Sequence, residues 1–351
     1  MAVASIKLNT NQINYINIGL MLVSAAVAFR FPFELFLFSY AFFGPLHYLT
    51  EISWLHDRDY FTGRKSDALF LGIISILITF AGLGGLEYVL KTLEPEYDSN
   101  VPSRFSTTLM FMAFGGALVF VLTKKFFRRL IWIFVIGFAG IILSTNNYVE
   151  SFCSVLLPTI IHVFIFTGFF ILMGALRGGS LSGIISLGVF VACAASFYIF
   201  PHWFTGYHIS DYAQKTYPDG FNLLNFVLMS PFKNSNLTPQ TIREYIDFVN
   251  NALYQSTAAF AVMGFIAFAY TYHYLNWFSK TSIIQWHAIS RTRLTVIVCI
   301  WLASIGLYYY DYAAGLQWLF LLSFAHVLLE FPLNHQTFIG IWKKLTSPKT
   351  T

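Results

Sequence analysis

The chain has 351 residues, 57% hydrophobic and only 11% charged, with a mean hydropathy of +0.64 and a net charge of +5. Soluble domains carry roughly 25% charged residues. Too little polar surface is present here for a water-soluble globule, and disorder, collagen, coiled coil and a small disulfide scaffold are excluded. The composition predicts an all-α polytopic membrane protein, whose excess positive charge marks cytoplasmic loops rather than nucleic-acid affinity.

A spanning helix needs roughly 20 mostly apolar residues. The first candidate, 13–29, lacks a small-residue cleavage site and is read as a retained span rather than a signal peptide. Spans 34–55 and 68–90 follow. The apolar run 107–145 divides into 107–123 and 130–145, because Lys124, Lys125, Arg128 and Arg129 are costly in lipid. Then come 152–176 and 181–200. A long connection, 201–251, holds Trp203, Tyr207, Tyr212, Tyr217 and Phe221, with a short helix expected from Thr238-Pro239. It reads as an ordered cap or interfacial element on the non-cytoplasmic side. The last spans are 253–278, 294–310 and 315–334. Residues 1–351 thus form one transmembrane helical domain of ten helices.

The basic residues orient it. With the N-terminus in the cytoplasm, the outer side holds Arg30, Lys91, Arg104, Lys215, Lys233 and Arg243, leaving 15 of the 21 Lys and Arg inside. This is the positive-inside pattern, with both termini cytoplasmic. Short loops and the lack of a targeting segment point to a bacterial inner membrane. Cys153, Cys193 and Cys299 all lie in apolar runs without a Cys-x-x-Cys pair, so neither a disulfide nor a thiolate metal site is expected.

Ionisable residues inside spans are expensive and by default functional. Of eight glutamates only Glu51 and Glu330 lie deep, with Glu34 and Glu87 near span ends. Both deep glutamates sit in the same pattern, His-x3-Glu-x4-His: His47, Glu51 and His56 in one copy, His326, Glu330 and His335 in the other. Residues four apart share a helix face, so His47 with Glu51, and His326 with Glu330, can aim at one point. The outer histidines lie about 140° further round. They join only where the helix ends or bends. Pro332 is the expected break in the second copy, and Asp57-Arg58-Asp59 marks the membrane exit in the first. His162, mid-span, and His273, toward the cytoplasmic end of its span, lie on helices running in the same direction. The set His47, Glu51, His162, His273, His326 and Glu330, with His56 and His335 at its rim, is the expected metal site, in the cytoplasmic half. Histidine and carboxylate without cysteine suit iron, zinc or manganese. The bland alternative is Glu bonded to His as packing glue. His202, His208 and His287 read as surface or interfacial residues.

Absent patterns narrow the chemistry. There is no His-Glu-x-x-His, no His-x3-His or His-x-x-His-His box, no Walker loop, no Gly-x-Gly-x-x-Gly and no Gly-x-Ser-x-Gly. The segment Gly44-Pro45-Leu46-His47-Tyr48-Leu49-Thr50-Glu51 resembles the first motif of the bacterial carotenoid-cleaving membrane oxygenases of the Brp/Blh type, a His four residues before an acid after a Gly/Pro turn. The resemblance implies an iron- and dioxygen-dependent enzyme that splits β-carotene. It departs in Tyr48 for a Gly and in Glu51 for an Asp, and the C-terminal copy has no counterpart. The leading expectation is therefore a membrane-embedded oxidoreductase, an oxygenase using one or two non-haem irons, with membrane lipids around it, a lipophilic substrate and a cytoplasmic electron donor as partners. No nucleic acid is expected. A divalent-metal or proton-coupled transporter uses the same residue types, and a haem-b protein with His162 and His273 as axial ligands is the third reading.

Overall fold

The computed structural model describes residues 8–62, 64–94, 96–217, 221–229 and 253–346, and these contain helices and turns but no strand. The long helices are α1 (Thr10–Arg30), α2 (Pro32–His56), α3 (Lys65–Gly82), α4 (Gly85–Leu93), α5 (Val101–Leu122) and α6 (Phe126–Leu143). They continue with α7 (Asn147–Gly178), α8 (Leu181–Ile199), the short α9 (Asp211–Thr216) and α10 (Asn222–Met229), then α11 (Thr257–Ser279), α12 (Arg291–Tyr310) and α13 (Tyr312–Thr346). Among the described residues nine helices are long and apolar enough to cross a membrane. The tenth expected span, α2, has 25 residues but is not among the nine. Glu34, His47 and Glu51 dilute its apolar run. The helix expected at Thr238-Pro239 lies outside the described residues.

The chain divides into two compact units. One is Met1–His47 with Val163–Ser290, and the other Tyr48–His162 with Arg291–Thr351. The division falls within α2 and within α7.

In the first unit α11 is buried along almost its whole length and packs against α1, α8 and α10. Asn9 caps α1 through a reciprocal bond with Gln12. Deeper in α1, the Asn17 side-chain oxygen accepts from the hydroxyls of Tyr272 (3.1 Å) and Ser279 (3.0 Å), while its amide donates to the Ile13 carbonyl. Both the oxygen and the nitrogen of this buried side chain are bonded, which is how helices adhere where water is absent. The start of α2 is tied to the connection after α8. Glu34 accepts from the Tyr207 hydroxyl at 2.8 Å and from the Ser210 amide at 2.9 Å.

In the second unit α13 packs against α3, α5 and α12, and α5 pairs with α6. The α5–α6 split falls at Thr123–Lys125, but Arg128 and Arg129 lie inside α6 rather than in the loop. Arg129 is only 4% exposed. It donates to both oxygens of Asp67 (2.8 and 2.9 Å) and to the carbonyls of Thr123 and Phe120, so four of the five guanidinium N–H groups are bonded where lipid would not solvate them. The expected span 68–90 is two helices. Gly84, with φ +81°, takes the left-handed conformation open to glycine and separates α3 from α4. Between α2 and α3 three consecutive non-glycine residues, Asp59, Tyr60 and Phe61, are also left-handed (φ 46°, 52° and 57°). That turn is held by Gln336, whose amide donates to the Phe61 carbonyl at 2.6 Å.

Candidate metal centre

Four of the expected residues meet in the second unit, carried by three helices. Glu51 comes from the last turns of α2, His162 from the first half of α7, and His326 and Glu330 from adjacent turns of α13. All four are at most 5% exposed. His162 Nδ1 lies 3.1 Å from Glu330 Oε2. The rings of His162 and His326 are 5.0 Å apart at 75°. The Glu51 carboxyl meets that of Glu330 within hydrogen-bonding reach.

The surroundings orient the ligands. His326 Nδ1 faces the Leu322 carbonyl at 3.3 Å. With the proton on Nδ1, the lone pair is on Nε2, which makes Nε2 the nitrogen able to bind a metal. Tyr48 stacks on the same ring, 4.2 Å between centroids at 23°. Glu330 Oε2 also accepts from Asn334 Nδ2 at 3.3 Å, and Asn334 is 1% exposed. Sequence reasoning missed Asn334, although it stands one turn after Glu330 on the face that already carries His326.

His162 is placed by a feature that apolar periodicity does not disclose. Ser151–Phe166 is wound as a π-helix, with Pro158 inside it. Such winding is rare and concentrates at functional sites.

The two outer histidines are not brought to this cluster. The His56 side chain is 64% exposed at the end of α2, 3.4 Å from Asp57. His335 is buried, but its Nε2 donates to the Phe114 carbonyl at 2.8 Å and its ring packs on Phe114. The break expected at Pro332 does not occur, and α13 runs unbroken to Thr346. His335 therefore stays on a different face from Glu330.

In the first unit two further expected histidines form a pair. His47 Nε2 and His273 Nε2 are 3.0 Å apart, and His273 Nδ1 is 2.9 Å from the Thr167 hydroxyl. Both rings are buried, with Tyr274 and Trp277 against His47. On α2 itself His47 stands one turn before Glu51, as their spacing requires. His202, His208 and His287 are exposed.

The donor types suit a metal ion, and one spacing does too. Two ligand atoms about 2.1 Å from one metal and at right angles to each other are about 3 Å apart, the separation of His162 Nδ1 from Glu330 Oε2. A search against family models, curated proteins and solved structures finds no match to this chain.

Proposed function

We propose that the chain is a membrane-embedded oxidoreductase, an oxygenase acting on a lipophilic substrate at a non-haem metal centre. Glu51, His162, His326 and Glu330 hold one or two ions, iron first, with zinc and manganese the alternatives. The observation that carries this reading is the meeting of two buried carboxyl groups with two imidazoles, one of them 3.1 Å from a carboxylate oxygen. Bound iron would supply dioxygen activation. The chain's own residues do the rest. Asn334 donates to Glu330, the Leu322 carbonyl sets the tautomer of His326, Tyr48 stacks on that ring, and burial keeps bulk water out. His47 and His273 are further candidate ligands. A site in a membrane span lets an apolar substrate arrive through the lipid, and a cytoplasmic donor supplies electrons in this reading. The motif around His47 and Glu51 puts carotenoids first in a substrate screen, and the proposed location is a bacterial inner membrane.

The test is elemental analysis with an optical spectrum of the detergent-purified protein, beside Glu51→Ala and Glu330→Ala. About one or two irons per chain, lost in both variants and without a Soret band, is the expected result. Full metal retention in both variants would sink the proposal. So would the absence of stoichiometric metal after reconstitution with iron, zinc and manganese. Flux assays in proteoliposomes would then test the transporter reading.

A further inference from the structure

Asn334 is 1% exposed, and its amide is only half used. Nδ2 donates to Glu330 Oε2 at 3.3 Å, while Oδ1 is buried and has no hydrogen-bond partner among the described residues. A buried carbonyl left unmade costs about 1–3 kcal/mol, and such a group calls for an explanation. Turning the amide over does not remove the deficit. It would set the carbonyl against the Glu330 carboxylate and leave the NH2 group stranded.

Its position suggests what the oxygen is for. His326, Glu330 and Asn334 are spaced four and four along α13, which puts all three on one face. An amide oxygen lies about 2.3 Å from its own nitrogen by bond geometry, so Oδ1 is held close to the carboxylate that His162 also touches. The N-terminal copy of the motif lacks this feature. Its corresponding position is Leu55, fully buried and apolar. Only the C-terminal glutamate has an amide oxygen one turn further on.

We infer that Asn334 Oδ1 is a further ligand of the proposed metal centre, making it a site of two imidazole nitrogens and three oxygens that takes manganese(II) or iron(II) in preference to zinc. The inference rests on the metal-centre reading above. Carboxylate and carbonyl oxygens suit the harder divalent ions. Zinc is satisfied by four ligands and gains little from a fifth, neutral oxygen.

The experiment is a titration of the purified full-length chain with manganese(II), followed by electron paramagnetic resonance, and with zinc(II) against a colorimetric chelator. Wild type, Asn334→Leu, Asn334→Asp and Glu330→Gln are compared, with size-exclusion profile and helical circular dichroism as folding controls. Asn334→Leu is expected to weaken manganese binding about 10–100-fold and zinc binding by less than about threefold. Asn334→Asp, which keeps the volume and an oxygen, restores manganese binding if the leucine variant misfolds or fails. Glu330→Gln weakens both metals. An Asn334→Leu protein that binds both ions as wild type does, or that is folded and loses both equally, overturns the inference. Failure of Asn334→Asp to bind manganese overturns it too. If wild type binds neither ion, the metal-centre reading itself falls. Wild-type binding with an indifferent Asn334→Leu removes the role of Asn334 alone.

Discussion

Arg129 and Asp67 are 5% and 4% exposed at their side chains, so each charge relies on the other for solvation. Removing one partner of such a pair costs about 3–5 kcal/mol, because it strands a charge, whereas replacing both by apolar residues is often close to neutral. Arg129→Met should therefore lose about 3–5 kcal/mol, and Arg129→Met with Asp67→Leu should recover much of it. Unfolding in mixed micelles measures both. Near the membrane exit the balance differs. Asp57 accepts from Arg293 at 2.7 Å on both oxygens, and those bonds hold its carboxyl below the ordinary carboxylate range. Its folded-state pKa is depressed, so the contribution is full above about pH 5 and disappears as pH falls through the lowered value. With side chains 38% and 39% exposed, the pair is worth only about 0.2–1 kcal/mol. Wild type should exceed Asp57→Asn in thermal stability by that margin at pH 7, and the margin should vanish as pH falls below the lowered value. At this scale Glu51 and Glu330 were legible, because a carboxylate in an apolar run is costly enough to announce itself. Asn334 was not, since a neutral amide in a helix carries no such signal.

Helix positions were legible from apolar runs, and their ends were less so. Span 68–90 stops early because Gly84 adopts a conformation that hydropathy does not encode. The expected break at Pro332 fails for another reason. Proline disfavours helical geometry before it, but Phe331 and Pro332 are both buried, and packing of α13 on its neighbours outweighs the local bias. That single override also decides the fate of His335, which an unbroken helix directs to Phe114. Elements likewise meet at specific small residues. A Cβ added at Gly183 would lie 2.8 Å from Ala175 Cβ and 3.0 Å from its Cα, whereas one at Gly188 would meet nothing within 4 Å. Gly183→Ala should destabilise by about 1–3 kcal/mol by forcing α7 and α8 apart. Gly188→Ala, relieved of glycine's conformational freedom, should stabilise by up to about 1 kcal/mol. Thermal unfolding in detergent separates the two outcomes, and equal effects would show that α7 and α8 do not rely on close approach at Gly183.

At the scale of the whole molecule, the number of crossings among the described residues depends on α2. The other nine candidates pass on length and composition, and nine crossings would leave the termini on opposite faces. Ten would return both to one face, as the distribution of Lys and Arg asks. The 25 residues of α2 rise about 37 Å at 1.5 Å each, enough for a hydrocarbon core about 30 Å thick. What lowers its hydropathy includes buried polar groups, among them His47 and Glu51 of the proposed function. Ser39, His47, Thr50 and Glu51 are each no more than 1% exposed, so they do not face lipid. Sequence hydropathy understates such a helix because it counts polar atoms without knowing which side they occupy. The expected topology is therefore ten spans with both termini cytoplasmic. Fusions of a green fluorescent protein and of alkaline phosphatase, at each terminus and in the segment 57–64, measure it. Fluorescence without phosphatase activity at all three positions fits ten crossings. A terminus reporting from the opposite side to 57–64 would remove the positive-inside assignment, and with it the common direction of α2 and α13 on which the paired His-x3-Glu motifs rely.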